Sequence, residues 1–366
     1  MAKVKFDEIA RECRSTFKGD KTGVAIVGLE HIVPNEMLVK DYEVYTENTF
    51  TKSFKKGQIL FGRRRAYQQK AGVATFDGIC SGDITVIEAI ESKVDKDLLP
   101  FIIQNERFFE HAVQGSAGSL SPRVKWEHLA SYEFDLPPLS DQKILADKLW
   151  AAYRLKESYK KLLAATDEMV KSQFIEMLSN SGYEEKSLGK LCDKITDGSH
   201  NPPKGNDGSE YLMISSKNVF IDGLDLADVR YLSKDEFDLE NKRTEVKKND
   251  ILLTIVGTIG RTYLVKGNEG NIVMQRSVAV LKPSDKVNPL FMMYSLHIDE
   301  NLEKEGLGNA QKGVYLKQLS QFKIKVPSLD IQNNFCSIYQ QADKSKFELR
   351  KSIEAIDAVI KSLINN

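Results

Sequence analysis

The segment Asn201-Pro202-Pro203-Lys204 is the part of the sequence that most resembles a catalytic motif. Amino-methyltransferases carry Asn-Pro-Pro followed by an aromatic residue, whose ring stacks on a base flipped out of the duplex. Lys204 has no ring for that stacking, and no glycine-rich loop that could hold a nucleoside cofactor follows a predicted strand. We therefore expect a turn at this segment rather than a methyl-transfer site.

Histidines and cysteines, which often serve in metal binding and covalent catalysis, are scattered along the chain. The histidines show no metal-ligand spacing and no partner in a recognised nucleophile motif. The cysteines form no Cys-x-x-Cys pair, which predicts unpaired thiols in a reducing compartment. A phosphate-binding P-loop is also absent from the sequence. We expect no catalytic residue, no cofactor and no metal. The residues considered are His31, His111, His128, His200, His297, Cys13, Cys80, Cys192 and Cys336.

Charge is balanced over the chain but unevenly distributed. Lys and Arg together number 52, as do Asp and Glu, so the formal net charge is zero. Residues 51–76 contain seven Lys or Arg and no acid, and residues 306–329 contain four lysines and no acid. A solvated surface is the ordinary explanation of a single basic run, and contact with nucleic acid is the alternative. Because acids elsewhere compensate, each half can present a positive face.

If these segments bind double-stranded DNA, the contacting residues should be basic or amide side chains on loops. We expect at least two of Arg63, Arg64 and Arg65 to be exposed, because three guanidinium groups cannot all be buried cheaply. Tyr67 is expected in the core, and residues 257–261 are expected to form a turn between strands. The candidate DNA-binding residues are Arg63, Arg64, Arg65, Gln68, Gln69, Ser121, Arg123 and Lys125 in the first half, and Ser199, His200, Lys204, Arg261, Gln275, Arg276, Lys312 and Tyr315 in the second.

Two parts of the sequence match each other in the same order, which indicates a duplicated unit. A Leu, a Pro, a second Leu and a Gln recur at a constant offset of 190 residues, and a block farther upstream recurs at an offset of 192. We therefore expect two related domains, one in each half. The matching residues are Leu129, Pro137, Leu139 and Gln142 with Leu319, Pro327, Leu329 and Gln332, and residues 55–60 with residues 247–252.

A long helix is predicted after each repeated Pro and Leu. From Ile331 to Leu363 the chain follows an alternating spacing of four and three, the pattern of a coiled-coil seam. Neither helical run contains Gly or Pro, so each helix can extend for about 35 residues, or roughly 50 Å. We expect an antiparallel coiled coil that returns the C-terminus to the first domain, and independent partner binding by each helix is the competing account. The predicted seam residues are Leu145, Ala152, Leu155, Tyr159, Leu162, Met169, Phe335, Ile338, Ala342, Leu349, Ile356 and Val359.

Length and patterning predict an α+β protein with two pseudo-symmetric mixed α/β domains separated by two long helices. No apolar run reaches the roughly 20 residues of a membrane span, and the N-terminus shows no secretory signal pattern, so we expect a cytoplasmic protein. The expected boundaries are residues 1–139 for the first domain, 140–180 for a central spacer helix, 181–328 for the second domain and 329–366 for a C-terminal spacer helix.

These features resemble the specificity subunit of Type I restriction-modification systems, and the resemblance covers essentially the whole chain. It is carried by residues 136–142 and 326–332, each opening a long helix, by residues 196–202 and by residues 313–319. Each motif is weak alone, and the duplicated order makes the match specific. The first domain departs from the family pattern because it has no Asp-Gly-x-His turn, so contacts inferred from that turn cannot be transferred to it.

The resemblance implies that the chain does no chemistry itself. In that family each target-recognition domain reads one half of a bipartite, asymmetric target in double-stranded DNA. Two methyltransferase subunits dock on the helical spacer, and motor-nuclease subunits can join. A rod of roughly 50 Å can hold two readers about one DNA turn, some 34 to 36 Å, apart. Helix length would then set the gap between the half-sites.

Two other functions are considered beside this one. A DNA methyltransferase that acts alone is disfavoured by Lys204 and by the missing cofactor loop. A coiled-coil adaptor with no role in nucleic-acid binding is the second alternative. Binding to mixed duplex DNA at low salt separates that adaptor from a specificity subunit.

Overall fold

The computed structural model describes residues 2–44, 47–179, 182–205, 208–304, 306 and 312–365. The chain forms two compact units, one made of Met1–Lys161 with Leu349–Asn366 and the other of Leu162–Glu348. The division falls inside both long helices, so each unit contains one domain and part of each helix. The expected boundary between residues 180 and 181 lies outside the described residues. Within the described ranges, no helix combines the length and apolar character needed to cross a membrane.

The first unit contains a five-stranded sheet, a three-stranded sheet and smaller strand pairs. Its elements are β1 (Ala2–Lys5), α1 (Phe6–Ile9), β2 (Ala10–Cys13), β3 (Ile26–Val27), a 3₁₀ helix (Leu29–His31), β4 (Leu38–Val39), β5 (Lys52–Phe54), β6 (Ile59–Gly62), a 3₁₀ helix (Ala66–Gln68), β7 (Ala71–Ala74), β8 (Gly78–Cys80), β9 (Ile84–Ala89), α2 (Leu99–Ile103), α3 (Glu106–Gln114), β10 (Ser116–Ala117), β11 (Arg123–Val124), α4 (Trp126–Ala130), β12 (Glu133–Leu136) and the long helix α5 (Leu139–Leu178).

The second unit contains a four-stranded sheet, a three-stranded sheet and two strand pairs. Its elements are β13 (Glu184–Ser187), α6 (Leu188–Leu191), β14 (Cys192–Asp197), β15 (Tyr211–Ile214), a 3₁₀ helix (Ser216–Asn218), β16 (Val219–Phe220), β17 (Gly223–Leu224), β18 (Arg230–Leu232), α7 (Lys234–Thr244), β19 (Ile251–Thr254), β20 (Thr262–Leu264), β21 (Asn271–Met274), β22 (Val278–Pro283), α8 (Pro289–Ile298), α9 (Asn301–Lys304), α10 (Leu316–Gln321), β23 (Lys323–Val326) and the long helix α11 (Leu329–Asn365).

The two units repeat the same strand order. The order β2-β9-β6-β7 of the first unit recurs as β14-β22-β19-β20 in the second. The antiparallel pair β1 and β12 recurs as β13 and β23, and the parallel pair β3 and β8 recurs as β15 and β21. The units differ at the third strand of the smaller sheet, where β5 joins β8 but β18 joins β15. The two mixed α/β domains therefore share the core of one fold, as the sequence repeat predicts.

The central strands of the larger sheets are covered on both faces. All four residues of β6 and all four of β19 are buried. Strands covered on both faces carry continuous apolar runs rather than alternating ones, which explains Ile59-Leu60-Phe61 and Ile251-Leu252-Leu253. The aromatic ring of Phe61 meets that of Phe108 with centroids 5.9 Å apart, so α3 closes one face of the first sheet.

A buried glutamine anchors each long helix where it begins. Gln142 donates through Nε2 to the carbonyl oxygen of the proline five residues earlier at 2.9 Å, and its Oε1 accepts the amide N–H of Asp95 at 2.8 Å. Gln332 makes the same donation at 2.8 Å and accepts the amide N–H of Asn288 at 2.8 Å. The two residues are 1% and 0% exposed. The repeated Gln is thus a structural joint between helix and domain.

In the first unit, the start of α5 and the end of α11 pack on one core. Leu149 and Tyr153 of α5 belong to that core, and Ile360 of α11 packs against it. Lys156 pairs with Asp357 at 2.5 Å. The described C-terminal residues therefore lie against the first domain, as predicted.

In the second unit, the end of α5 packs against the start of α11. The rings of Phe174 and Phe335 meet with centroids 4.8 Å apart. Farther along α11, Lys346 is buried and pairs with Asp167 of α5 at 2.8 Å. Because the earlier residue of α5 meets the later residue of α11, the two segments run antiparallel within this unit.

The buried stripe of α5 lies one residue after the predicted seam. Ala146, Leu149, Tyr153, Val170 and Phe174 are buried, and they pack on the core of their own unit. Those domain contacts fix the rotation of the helix and turn part of the heptad pattern outward. Four predicted seam residues are between 45% and 52% exposed: Leu155, Leu162, Met169 and Val359. The other predicted seam residues are buried or half-buried: Leu145, Ala152, Tyr159, Phe335, Ile338, Ala342, Leu349 and Ile356.

The four cysteines are unpaired, as the sequence predicts. Burial raises the pKa of the Cys80 and Cys192 thiols to about 12 and that of Cys336 to about 11. Cys80 and Cys336 are buried and Cys192 is half-buried, and a raised pKa disfavours the nucleophilic thiolate in all three.

Replacing Gln142 or Gln332 by alanine should lower the free energy of unfolding by about 1–3 kcal/mol, because a backbone carbonyl oxygen and an amide N–H both lose the buried glutamine as their partner. Denaturant unfolding followed by circular dichroism measures the change. The matched controls Gln173→Ala and Gln340→Ala replace exposed glutamines of the same two helices and should change the stability by less than about 0.5 kcal/mol. Equal effects at buried and exposed positions would contradict the anchoring role.

Candidate nucleic-acid interface

Three loops of the first unit meet at the edge where β6 ends and the antiparallel strand β9 begins. They are residues 63–70 between β6 and β7, residues 81–83 between β8 and β9, and residues 118–125 around β11. We name them the first-unit loop cluster. All eight candidate DNA-binding residues of the first half lie in the first and third of these loops.

Backbone hydrogen bonds bind these loops to each other. Arg63 donates its amide N–H to the carbonyl of Asp83 at 2.9 Å, and its own carbonyl accepts the amide of Val124 at 3.0 Å. The amide of Arg65 donates to the carbonyl of Pro122 at 2.8 Å. The loop that carries the three arginines is therefore held by both of the other loops.

One carboxylate joins the cationic side chains of this cluster. Asp83 accepts from Arg123 Nε at 2.7 Å and lies 3.4 Å from Arg64 Nη1. Arg64 also donates to the hydroxyl of Ser121 at 2.9 Å. The hydrogen bond from Arg123 is the main reason that the pKa of Asp83 lies below its usual value. Asp83 therefore stays ionised and keeps the two guanidinium groups together.

The three consecutive arginines are all half-buried, so the expectation that at least two would be exposed is corrected. The backbone bonds described above hold their loop against the other two loops, so none of the three side chains is fully exposed. Among the described residues, the Nε atoms of all three lack a hydrogen-bond partner. Arg65 and Gln69 adopt left-handed backbone conformations, with φ of 55° and 52°.

Tyr67 is 57% exposed rather than buried in the core. It lies in the short 3₁₀ helix Ala66–Gln68, in which Ala66 is the buried residue. A single helical turn can bury only one of its sides, and the small Ala66 side chain lies on that side.

The second unit gathers the corresponding loops at the corresponding edge of its sheet. They are residues 255–261 between β19 and β20, residues 275–277 between β21 and β22, and residues 312–315 before α10. With the turn at residues 197–200, they form the second-unit loop cluster.

The backbone bonds of the first cluster recur in the second. Ile255 donates its amide to the carbonyl of Ser277 at 2.9 Å and accepts the amide of Val314 at 2.8 Å. The amide of Gly257 donates to the carbonyl of Lys312 at 3.3 Å. Ser277 thus takes the place that Asp83 holds in the first unit. The duplication extends to the loops that bring the candidate residues together.

The turn at residues 197–200 lies flat on the strand connection that carries Gln275 and Arg276. Ser199 donates its amide to the carbonyl of Met274 at 2.8 Å and accepts the amide of Arg276 at 2.9 Å. A Cβ atom on Gly198 would lie 1.9 Å from the Met274 carbonyl oxygen. Only glycine allows this approach, which explains its position between Asp197 and Ser199.

Asp197 holds two cationic or polar side chains at the edge of this turn. Its Oδ2 lies 2.8 Å from His200 Nε2, and its carbonyl accepts Arg243 Nε at 2.8 Å. Arg243 Nη2 also pairs with Oδ1 of the same carboxylate. The Asp197 side chain is only 9% exposed, whereas those of His200 and Arg243 are 54% and 47% exposed. The acid is buried and its two partners face outward.

Residues 257–261 form the predicted turn between antiparallel strands. Gly257 and Gly260 have φ of 82° and 93°, values that favour glycine. Arg261 leaves this turn with its guanidinium 4.6 Å from the centroid of the Phe220 ring. A cation–π contact therefore orients Arg261.

The remaining candidates differ in exposure. Ser199 is buried and acts through its backbone, so the structure gives its side chain no open position for DNA. Those that are half-buried are Gln68, Gln69, Ser121, Arg261 and Gln275. Those that are exposed are Arg123, Lys125, His200, Lys204, Arg276, Lys312 and Tyr315.

Sequence reasoning missed Asp83, Asp197, Arg243 and Phe220. Asp197 lies in a recognised motif, but its carboxylate had no assigned role. Arg243 follows Asp197 by 46 residues at the end of α7, and no local pattern links the two. In the described part of the chain, no group of three or more His, Cys, Asp or Glu side chains could hold a metal ion.

The sequence profile of the Type I restriction modification DNA specificity domain matches residues 8–165 and again residues 180–357. The chain belongs to this family. The two matches coincide with the two repeats, so the internal duplication is a duplication of the specificity domain.

Two curated relatives of this specificity-domain protein come from Escherichia coli. The Type I restriction enzyme EcoBI specificity subunit is 27% identical over 309 residues, which cover 71% of this chain and 64% of the relative. The EcoDI specificity subunit is 28% identical over 120 residues, which cover 31% of this chain and 26% of the relative. The chain therefore matches less than two thirds of the length of either relative.

Two solved structures share the fold of this specificity-domain protein over nearly its full length. One is a chain from a structural study of complex assembly and conformational transition in the type I R-M system, with a TM-score of 0.60, 17% identity, and coverage of 99% of this chain and 96% of that one. The other is the Type-I restriction-modification system S subunit from M. genitalium, with a TM-score of 0.61, 11% identity, and coverage of 100% and 95%.

Substitution Gly198→Ala should destabilise the second unit by about 1–3 kcal/mol, because the new methyl group must displace the Met274 carbonyl. Thermal unfolding measures the effect. Gly223→Ala is the matched control, since a Cβ atom there meets nothing within 4 Å. If the two variants unfold alike, the close approach of the turn to β21 is not required.

Proposed function

We propose that the chain is the non-catalytic DNA-recognition subunit of a Type I restriction-modification complex. Each unit reads one half of a bipartite, asymmetric target in double-stranded DNA. Two methyltransferase subunits dock on the long helices, and motor-nuclease subunits can join the complex. The partner subunits carry out the chemistry on the DNA, and this chain determines the DNA site at which they act.

The duplicated loop clusters carry this proposal. Each cluster gathers Arg, Lys and amide side chains from more than one loop, at the corresponding edge of the corresponding sheet. Arg and Lys neutralise phosphates, and Arg, Asn and Gln read base edges in the major groove. The scaffold is repeated but the loop residues differ, for example Asp83 in the first unit and Ser277 in the second. Two domains of the same fold would therefore recognise two different sequences.

The helices carry the second part of the proposal. The contacts between α5 and α11 inside each unit support an antiparallel coiled coil as the element that sets the half-site spacing. Leu155, Leu162 and Met169 are exposed apolar residues spaced by heptads along α5. Such a stripe stays close to one side of a helix, and it supports docking of a methyltransferase subunit through an apolar face.

Loss of the arginine charges should weaken DNA binding and reduce its dependence on salt. In the triple variant Arg63→Gln/Arg64→Gln/Arg65→Gln, the slope of log K against log salt should fall by about 0.9 for each phosphate contact removed. Fluorescence anisotropy with a labelled duplex at several salt concentrations measures both quantities.

The control for the arginine variant removes three positive charges elsewhere in the first unit. Lys3→Gln/Lys5→Gln/Lys143→Gln changes exposed lysines outside the loop cluster. The control should keep nearly the wild-type slope. If the arginine variant also keeps the wild-type affinity and slope, the loop carrying Arg63, Arg64 and Arg65 does not belong to the interface.

Removing one heptad from the middle of each long helix should shorten the gap between the half-sites. A heptad spans about 10 Å, so the gap should lose about three base pairs, while the bases read in each half stay the same. Sequencing of methylated adenines in cells that express the variant with its methyltransferase measures the gap. A control that exchanges the same heptads for alanine-rich ones of equal length should keep it. An unaltered gap after the deletion would contradict the spacer role.

A further inference from the structure

We propose that one carboxylate in each unit is a positioning residue for sequence readout: the half-buried Asp83 in the first unit and the buried Asp197 in the second. This inference rests on the proposed function. Neither acid needs to touch DNA. Each one sets the direction of the cationic side chains that do.

In the first cluster the carboxylate solves a problem of like charges. Arg64 and Arg123 come from loops that pair through the backbone, so their guanidinium groups are forced close together. They would repel and turn apart without an anion between them. Asp83 accepts Arg123 Nε at 2.7 Å and Arg123 Nη2 at 3.3 Å, a two-pronged contact that fixes the guanidinium plane.

Asp83 also keeps its own position independently of the two arginines. Its carbonyl accepts the amide of Arg63, and its amide donates to Ser81 Oγ at 3.2 Å. Because both backbone groups of Asp83 are hydrogen-bonded, the point from which its side chain extends is fixed. Arg64 and Arg123 remain 37% and 46% exposed, so they are held and still accessible.

In the second cluster Asp197 selects a tautomer. Its Oδ2 lies 2.8 Å from His200 Nε2, and two acceptors cannot approach so closely without a proton between them. Nε2 of His200 therefore carries the proton, and in the neutral ring Nδ1 is an acceptor. Arg243 Nη2 is 3.5 Å from the same Nε2, and as a donor it cannot bond to the protonated nitrogen.

The imidazole acceptor points to a class of contact. His200 is exposed, and no hydrogen bond in the described structure engages its Nδ1. An acceptor is unsuited to a phosphate oxygen but fits the exocyclic amino group of adenine or cytosine. His200 is thus assigned to a base amino group, and Arg243 beside it is added to the residues that face DNA.

The two acids are not equivalents in the repeat. Ser277 occupies the place of Asp83, and the first domain lacks the turn that contains Asp197. Each loop cluster therefore has its own carboxylate at its own place. A shared scaffold requirement would put the acid at one repeated position, whereas a role in separate readouts does not.

Removing the carboxylate has two expected effects on DNA affinity, one through its charge and one through the side chains that it positions, and these effects have opposite signs. A carboxylate near DNA repels phosphates, so its removal should strengthen binding to any duplex. If the carboxylate positions reading groups, its removal should weaken binding to the target alone. The ratio of the two affinities separates these effects.

The test uses Asp83→Asn and Asp197→Asn in the complete chain assembled with its methyltransferase subunits. The probes are a short duplex that carries the target, found by methylation mapping, and the same duplex with both half-sites scrambled. Each variant should lower the ratio of target to scrambled affinity by about ten-fold, the scale of one base contact, with scrambled affinity unchanged or higher. Asp83→Glu and Asp197→Glu keep the charge and shift it, and should lower the ratio without raising scrambled affinity.

The matched controls are Asp77→Asn in the first unit and Asp228→Asn in the second. Both are exposed acids paired with a lysine outside the reading contacts: Asp77 with Lys55, and Asp228 with Lys217. They remove the same charge, so both affinities should change together and the ratio should stay constant.

A double-mutant cycle tests whether Asp197 acts through His200 and Arg243, and His200→Ala/Arg243→Ala alone should lower the ratio even if an aspartate variant folds poorly. His200→Ala/Arg243→Ala changes only exposed side chains, and adding Asp197→Asn to it should cost no further discrimination if Asp197 acts through them. An additional loss of the same size would overturn the inference, as would Asp variants that keep the wild-type ratio. If the wild-type complex binds target and scrambled duplex equally, the proposed function itself fails.

Discussion

The buried side-chain amide at the start of each long helix is the joint on which the architecture depends. A helix of this length has few partners of its own within a small domain, so a domain can be carried by it only if the junction is rigid. Gln142 and Gln332 each bond the preceding backbone on one side and the start of a neighbouring helical segment on the other. Both glutamine side chains are fully buried, so water cannot replace either hydrogen bond if it is lost. Helix and domain therefore behave as one body at each junction.

Charge is organised on the same local scale. A net charge of zero is unusual for a protein proposed to bind DNA, but the acids near the loop clusters do not simply cancel the cations. The side chains of Asp83 and Asp197 are 20% and 9% exposed, less than those of the cationic partners beside them. In each cluster a carboxylate on the protein side offsets the repulsion between neighbouring cations, and the outward side of the cluster stays positive.

The sequence predicted the elements that depend on local or repeated patterns. The duplicated domains, the two long helices, the turn at Gly257 and the unpaired cysteines all follow from spacing, composition or glycine positions. The helix seam was displaced by one residue, because packing of Leu149 and Phe174 on their own domains decides the rotation of α5. Asp197 and Arg243 are far apart in the chain, and no local sequence pattern predicts that they pair. Tyr67 was misplaced because a neighbouring alanine fills the buried direction.

In the proposed function, this chain decides where another protein modifies DNA. Genome-wide mapping of methylated adenines tests it most directly, in the organism that carries the gene, in a deletion strain and in the complemented strain. One bipartite motif with a fixed unread gap should lose methylation in the deletion strain and regain it on complementation, while all other motifs persist. A methylation map that is the same in all three strains would contradict the proposed function.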